Sequence, residues 1–226
     1  MEQFLPLISR CALFQGLSRA ELGRALHCLA AVKKEYPRGA FLLRAGDQTG
    51  QMGLMLWGSA LLVREDLWGR RNIIDKVLPG DVFAEAFAAS GAALNLSAVA
   101  GEDCGVLLLD VGRVLTACPS ACPAHHKIIQ NLTAVLARKL LLLQDKITHM
   151  GRHTTREKLL SYLSAQAARQ GRLTFDIPFD RQQLADYLCV DRAAMSAELS
   201  KLQRDGLLRC RRNHFTLIAE PTEELL

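Results

Sequence analysis

The stretch from Asp180 to Gly206 reads DRQQLADYLCVDRAAMSAELSKLQRDG, and its pattern predicts two helices joined by a short turn. Asp180 and Asp191 each stand where a helix would begin, and an aspartate there can cap the first free backbone N–H groups. Apolar residues then recur at helical spacing, so each helix has one face to bury. These inward-facing residues are Leu184, Ala185 and Leu188 in the first helix and Met195, Leu199 and Leu202 in the second. The segment is therefore interpreted as a helix-turn-helix.

The outward face of the second helix carries groups that suit the major groove of DNA. Arg192, Ser196 and Ser200 recur at every fourth position and must share that face. An arginine fork can bond guanine O6 and N7, a serine hydroxyl can donate or accept, and an alanine can touch a thymine methyl group. Basic neighbours would contact phosphates and position the protein without reading sequence. The predicted DNA contacts are Arg181, Gln182, Asp191, Arg192, Ala193, Ser196, Ala197, Ser200, Lys201 and Arg212. The alternative is an ordinary helical hairpin whose charges are solvated.

The whole chain divides into three zones of different periodicity. From Tyr36 to Leu109, short apolar runs alternate with glycine turns, which predicts a β sandwich or roll. Residues 123–150 contain no glycine, and no proline after Pro123, which predicts one long helix. Beyond Gly151, three helical patterns and two short extended runs predict a three-helix unit with a β wing. The predicted fold class is α+β, with domains at residues 1–122, 123–150 and 151–226.

The long helix has an apolar stripe with near-heptad steps. Its members are Ile129, Leu132, Leu136, Leu143, Ile147 and Met150, and the leucines at 140–142 widen it. A stripe of this length exceeds what a small roll can cover, so we predict a seam between two copies of the chain. The alternative is a helix packed only on its own domain.

Composition narrows the class of protein. Of 226 residues, 50% are hydrophobic and 23% are charged, which is typical of a folded globular chain and not of a disordered or repetitive one. No apolar stretch could span a bilayer and no signal peptide pattern is present, so we expect a cytoplasmic protein without a membrane partner. The net charge of +5 is only a weak indication of nucleic acid.

Cysteine usage and the lack of catalytic motifs exclude two further classes. Seven cysteines, an odd number spread along the chain, indicate thiols and not a disulfide framework. Cys104, Cys189 and Cys210 are expected to be buried small hydrophobic residues. The sequence contains no phosphate-binding glycine loop, no Gly-x-Ser-x-Gly and no His-Glu-x-x-His, so we predict that the protein is not an enzyme.

Five segments, by their order and spacing, carry a resemblance to a known family. They are LFQGLS at Leu13–Ser18, YPRGAFLLRAGD at Tyr36–Asp47, LPGDVFAE at Leu78–Glu85, TTREKLLSYL at Thr154–Leu163, and IPFDRQQLADYLCVDRAAMSAELSKLQRDGLL at Ile177–Leu208. The chain resembles the cyclic-AMP receptor protein/fumarate-nitrate regulator (CRP/FNR) family of bacterial transcription factors. The resemblance implies a cyclic-nucleotide-binding-type β-roll of the jelly-roll kind, a long dimerisation helix and a winged helix-turn-helix. It also implies a homodimer that binds a palindromic operator in double-stranded DNA and contacts RNA polymerase.

Departures from the family pattern bear on the effector. The resemblance implies that a Gly-Glu pair and an Arg-Ser pair hold the ribose and the phosphate in members that bind cyclic AMP. Here the corresponding residues are Ala84-Glu85 and Leu96-Ser97, so the effector pocket would contain Glu85, Leu96 and Ser97 but no cation for the phosphate. A buried phosphate without a counter-charge is costly, so cyclic AMP is disfavoured. A turn position that is often glycine in relatives is Cys189, and Ala197 replaces a second arginine.

A different group of residues could form a sensor. The tight N-terminal cysteine cluster of iron–sulfur members is missing, but CPSACPAHH spans Cys118–His126 where the roll leads into the long helix. Cys118, Cys122, His125 and His126 could ligate a metal or haem or act as a redox switch. The alternative is a proline-containing turn that only starts the helix.

Together these observations predict a homodimeric DNA-binding transcription regulator. Its β-roll would sense a small-molecule or redox effector and re-orient the recognition helices on a palindromic operator. The alternative is a small-molecule- or metal-binding roll whose C-terminal helices dock protein and not DNA.

Overall fold

The computed structural model describes residues 2–115 and 123–218, which form two compact units. The first unit is Met1–Lys139 and the second is Leu140–Leu226, so the boundary falls inside the long helix. The predicted α+β class is confirmed, with an antiparallel β domain followed by the long helix and a helix-turn-helix. No helix in the described part of the chain is long and apolar enough to cross a membrane.

The first unit is a roll of two antiparallel sheets. Its helices are α1 (Leu5–Arg10), α2 (Arg19–Cys28), α3 (Glu85–Ser90) and α4 (Val111–Leu115), with 3₁₀ turns at Glu2–Phe4 and Ala12–Phe14. Its strands are β1 (Val32–Tyr36), β2 (Phe41–Leu43), β3 (Gln51–Trp57), β4 (Ala60–Glu65), β5 (Arg71–Val77), β6 (Val82–Phe83), β7 (Ser97–Ala100) and β8 (Cys104–Asp110). One sheet has the order β1-β8-β3-β6 and the other β2-β7-β4-β5.

Side chains alternate across strand β3, and this alternation separates two cores. Leu54 and Leu56 face an outer core that includes α1, α2 and the first half of the long helix, whereas Met55 faces the interior of the roll. Gly53 is required on the inner side, because a Cβ there would collide with the ring of Phe83 on β6.

The long helix α5 runs without interruption from Pro123 to Met150, about 42 Å at 1.5 Å per residue. Ile128, Leu132 and Val135 are buried in the outer core of the roll. The predicted single helix is therefore confirmed, and Leu132 belongs to the face that packs on its own roll.

The second unit contains the end of α5 and a compact winged bundle. Its remaining elements are α6 (Thr155–Gln170), β9 (Thr174–Asp176), α7 (Arg181–Leu188), α8 (Arg192–Arg204), β10 (Leu208–Arg211) and β11 (His214–Leu217), and the three strands form a sheet of order β10-β11-β9. Tyr162, Phe175, Leu188, Met195 and Phe215 are each at most 1% exposed and fill the core. Gly151 continues the last turn of α5, since its N–H donates to the carbonyl of Ile147 at 2.9 Å.

The cysteines differ in part from expectation. Cys104 is fully buried and Cys210 is half-buried, but Cys189 is exposed. The prediction for Cys189 is wrong because this residue ends α7 in a left-handed conformation, which turns its side chain away from the core. The thiols of Cys11 and Cys28 are also free.

Candidate nucleic-acid interface and effector site

Two aspartate caps fix the helix-turn-helix. The Asp180 carboxylate accepts the Gln183 N–H at 2.8 Å at the start of α7, and the Asp191 carboxylate accepts the Ala194 N–H at 2.8 Å at the start of α8. Both caps satisfy backbone donors that a helix start leaves free. Asp191, one of the predicted DNA contacts, therefore has a structural role at the N-terminus of the recognition helix.

The predicted recognition face is present on α8. Met195, Leu199 and Leu202 lie at most 3% exposed against the core, which forces the opposite side of the helix outward. The exposed residues on that side are Arg192, Ala193, Ser196, Ala197 and Ser200. The Ser200 hydroxyl donates to the backbone carbonyl of Ser196 at 3.0 Å, so its remaining capacity is that of an acceptor. The small side chains leave room for a close approach of α8 to base edges.

Three further predicted contacts lie on α8, on α7 and in the wing. Lys201 is exposed and its ammonium lies 3.4 Å from Glu198 Oε2. Gln182 is exposed and its amide donates to Asp186 at 2.8 Å. Arg212 is exposed at the turn of the β10–β11 wing, where its backbone has a φ of +55°.

Arg181 differs from the other predicted phosphate contacts. Its guanidinium donates to the Cys210 sulfur at 3.2 Å and lies over the Phe215 ring, 5.2 Å from the centroid. The side chain is therefore packed between α7 and the wing and is half-buried. This placement follows from the aromatic surface of the wing, which attracts a cation by its π face. Arg181 fixes the wing in this structure, and its Nη1 is buried without a hydrogen-bond partner among the described residues.

One ion-pair group in this unit was not predicted. Arg156, in the first turn of α6, donates through Nη1 to Glu198 Oε1 at 3.2 Å and to Asp205 Oδ2 at 3.0 Å. The seven-residue spacing of Glu198 and Asp205 places them on one side of α8. From the sequence, this spacing could have indicated that the two acidic residues share a partner. Their cation lies on another helix, which the helical period of α8 does not reveal.

In the roll, Glu85 is committed to a protein partner. Its Oε1 lies 2.8 Å from the Lys139 ammonium on α5, and that ammonium also donates to the Val82 carbonyl at 2.6 Å. Glu85 is 3% exposed, and its Oε2 has no hydrogen-bond partner among the described residues. Ala84, just before it, has a φ of +63°, a conformation that favours glycine.

The other two predicted pocket residues are not partners in this ion pair. Leu96 is half-buried, and the Ser97 hydroxyl accepts the Ala45 N–H at 3.0 Å, which ties β7 to the chain after β2. The roll contains a cavity of about 130 Å³. Its lining residues are Lys34, Tyr36, Leu42, Leu43, Thr49, Gln51, Gly53, Phe83, Val106 and Leu108. Glu85, Leu96 and Ser97 are not among them.

The possible sensor segment is only partly described. Cys118 and Cys122 lie outside the described residues. His125 Nε2 is 2.6 Å from the Arg113 carbonyl, and since a carbonyl only accepts, this nitrogen carries the proton and only Nδ1 has a lone pair for a metal. His126 is exposed, with Nε2 3.0 Å from the Gln130 amide. Within residues 2–115 and 123–218, no three His, Cys, Asp or Glu side chains are grouped as metal ligands.

A capped helix-turn-helix with an exposed arginine and serine face, joined to a β-roll by a long helix, defines a DNA-binding transcription regulator. Two family models match the chain. A Crp-like helix-turn-helix domain matches residues 157–222, and a cyclic nucleotide-binding domain matches residues 33–120. The chain belongs to the CRP/FNR family of transcriptional regulators, and its relatives are transcription factors and not enzymes.

Individual relatives agree with this assignment. The transcriptional activator protein FnrL of Cereibacter sphaeroides is 26% identical over 191 residues, which cover 77% of this chain and 71% of FnrL. The transcriptional activatory protein AadR of Rhodopseudomonas palustris is 30% identical over 152 residues, which cover 62% of this chain and 58% of AadR. The structure of FixK2 from Bradyrhizobium japonicum has the same fold, with a TM-score of 0.66 at 23% identity over 86% of this chain and 95% of FixK2.

Proposed function

We propose that the protein is a homodimeric regulator whose β-roll responds to an effector other than cyclic AMP and re-orients two recognition helices on a palindromic operator. RNA polymerase is the proposed second macromolecular partner, since a regulator bound beside a promoter acts on the enzyme that transcribes from it. Bacterial DNA lies in the cytoplasm, so the proposal places the protein there. The match to a Crp-like helix-turn-helix favours DNA over the alternative of a protein-docking module.

An uncovered apolar row on α5 carries the dimer proposal. Leu140, Leu143 and Ile147 are 59%, 46% and 71% exposed, and they follow one another at steps of three and four residues. Leu136, four residues before Leu140, continues the same line but is half-buried against the roll. This is the spacing of a coiled-coil seam. The row lies beside the row that α5 buries against its own roll, so one helix can serve both contacts. Exposed leucine and isoleucine side chains in such a continuous line favour a second copy of the same helix as their partner.

The dimer in turn determines the form of the operator. Two copies related by a two-fold axis present two identical recognition faces, so their half-sites must be inverted repeats. In helix-turn-helix dimers the half-sites lie about one helical turn of DNA apart. Arg192 and Ser196, near the start of α8, are the proposed base contacts.

The roll argues against cyclic AMP as the effector. The phosphate of that ligand needs a cation, but Leu96 stands at the corresponding position, and the Glu85 carboxylate is already paired with Lys139. The proposed signal is therefore a small molecule of another class, a metal, haem or a redox change of thiols. For a metal or haem, the proposed ligands are Cys118, Cys122, His126 and the Nδ1 atom of His125.

The dimer is tested by placing a charge in the α5 row. Leu143→Glu and Ile147→Glu should each raise the dimer dissociation constant at least about 100-fold, because a carboxylate would be buried in an apolar seam. Leu141→Glu is the matched control, since Leu141 is 61% exposed on another side of α5 and should leave the dimer intact. Light scattering measures the molar mass of each variant and so distinguishes dimer from monomer. Wild-type protein that is a monomer at all concentrations, or equal effects at the three positions, would contradict the proposal.

The effector is tested on protein purified without oxygen. Absorption spectra and metal analysis before and after exposure to air should reveal haem, a metal or thiol oxidation, and Cys118→Ser with Cys122→Ser should remove that signal. Cyclic AMP added at millimolar concentration should change neither the melting temperature nor DNA binding. A saturable response to cyclic AMP would overturn this part of the proposal.

A further inference from the structure

Glu198 lies between two cations at the edge of the recognition helix. Its Oε1 accepts from Arg156 at 3.2 Å, and its Oε2 lies 3.4 Å from the Lys201 ammonium. The Glu198 side chain is only 15% exposed, whereas that of Lys201 is 56% exposed. The carboxylate is therefore held close to the protein, and Lys201 extends from it toward solvent.

Asp205 needs the same arginine for a different reason. It is the C-cap of α8, and a carboxylate at the C-terminal end of a helix is repelled by the partial negative charge of the last carbonyl groups. Arg156 Nη1 lies 3.0 Å from Asp205 Oδ2 and offsets this repulsion. One guanidinium on α6 therefore joins the middle and the end of α8.

We propose that Arg156 is a positioning residue for DNA binding, which holds α8 through Glu198 and Asp205 and supplies the counter-charge that leaves Lys201 available for a DNA phosphate. Without Arg156, Lys201 would be the only cation in contact with Glu198 among the described residues. An ion pair with Glu198 would then compete with the phosphate for the Lys201 ammonium. If Lys201 bound the phosphate instead, the Glu198 charge would be left uncompensated near a polyanion.

The arrangement makes the salt dependence of DNA binding the decisive measurement. Each phosphate that a protein neutralises contributes about 0.9 to the slope of log K against log salt concentration. Arg156→Ala should lower that slope by about one for each subunit bound to random-sequence duplex DNA, with about a fivefold loss of affinity for each subunit near physiological salt. Random-sequence DNA is used because its binding depends on neither the operator nor the effector.

A second substitution separates positioning from direct contact. Arg156→Ala combined with Glu198→Gln removes both the counter-charge and the charge that it offsets, so the slope and affinity should return close to the wild-type values. If Arg156 itself contacted a phosphate, the double variant would stay as weak as the single one, and the proposal would be overturned. Glu198→Gln alone should bind DNA at least as tightly as wild type.

Matched controls guard against a loss of folding. Arg169→Ala removes another arginine of α6, one that pairs with Asp145 at 2.9 Å away from α8, and should leave the salt slope unchanged. Arg156→Lys keeps the charge but lacks the planar fork, so it should recover part of the slope. Circular dichroism and thermal melting check each variant. A folded Arg156→Ala protein with an unchanged slope would also refute the proposal.

Discussion

The ammonium nitrogen of Lys139 lies 2.8 Å from Oε1 of Glu85 and joins the long helix α5 to the first residue of α3. The same nitrogen donates to the Val82 carbonyl, so one lysine satisfies both a buried carboxylate and a backbone acceptor. A carboxylate that is 3% exposed is stable as an ion only where such a partner is fixed in place. The glutamate that the family resemblance assigns to a ligand is occupied here by the protein itself.

Removal of this lysine should destabilise the roll. Lys139→Met keeps most of the aliphatic stem but leaves the Glu85 charge unpaired, and the expected loss in the free energy of unfolding is about 2–3 kcal/mol. The expected loss is smaller than for an ion pair in which both partners are fully buried, because the Lys139 side chain is 28% exposed. Urea denaturation measures the change.

A double variant provides the control for the ion pair. Glu85→Gln combined with Lys139→Met removes both charges and should recover more than half of the lost stability. If Lys139→Met alone is as stable as wild type, the ion pair does not stabilise the roll.

The turn of the helix-turn-helix contains a conformational strain that can be relieved. Cys189 ends α7 with a φ of +50°, in the left-handed region that costs a residue with a Cβ about 1–2 kcal/mol. Cys189→Gly should therefore raise the free energy of unfolding of the DNA-binding unit by about 0.5–1 kcal/mol, after the greater entropy of an unfolded glycine is subtracted. Thermal melting should show a gain of a few degrees.

Cys189→Ala distinguishes backbone strain from an effect of the thiol. Alanine keeps the Cβ and with it the strain, so its melting temperature should stay at the wild-type value. An equal gain from alanine and glycine would mean that the exposed sulfur, and not the backbone, limits stability.

Helix caps and apolar spacing made much of the fold predictable from the sequence. The interactions that the sequence did not predict join residues that are far apart in the chain. The cap at Asp180 and the buried row from Met195 to Leu202 depend on residues within a few positions of each other, and the structure contains both. The pair of Arg156 and Glu198 joins residues 42 positions apart, and only the packing of α6 on α8 brings them together. Tertiary packing also directs Arg181 toward the wing, although its position at the start of α7 predicted a phosphate contact.

Arg192 is expected to determine base preference. It is exposed at the first position of α8, where a guanidinium can reach a base edge in the major groove. Arg192→Ala should weaken binding to a fragment selected from the genome by about 1–3 kcal/mol for each half-site and reduce discrimination against random DNA. Fluorescence anisotropy with both DNAs at one salt concentration measures the ratio of the affinity for the selected fragment to the affinity for random DNA.

Gln203 offers a comparison on the same helix. Its side-chain carbonyl accepts the Cys210 N–H at 3.0 Å at the start of the wing, away from the N-terminal turn of α8. Gln203→Ala should change binding to both DNAs by a similar factor. An Arg192→Ala variant that keeps the wild-type ratio would remove Arg192 from the base contacts.

The end of α5 should make the stability of the DNA-binding unit depend on pH. His149 is 4% exposed, with Nδ1 2.8 Å from the Ser161 hydroxyl and its ring edge-on to Tyr162. Burial lowers the pKa of His149 below its usual value, while Asp145 raises it and Arg169 and Arg152 lower it further. The unfolded chain therefore takes up the proton first as the pH falls below about 6.5.

This difference in proton binding determines whether a fall in pH stabilises or destabilises the unit. Because His149 binds its proton less readily when folded, its contribution to stability is complete above about pH 6.5 and declines as the pH falls toward its lower folded pKa, by at most about 1.4 kcal/mol per pH unit. His149→Gln should lose that part of the pH dependence, whereas His153→Gln, which removes an exposed histidine nearby, should keep it. Urea denaturation at about pH 7.5 and about pH 5.5 compares the three proteins. A difference between the two pH values that is the same for His149→Gln as for wild type would mean that other groups carry the pH dependence.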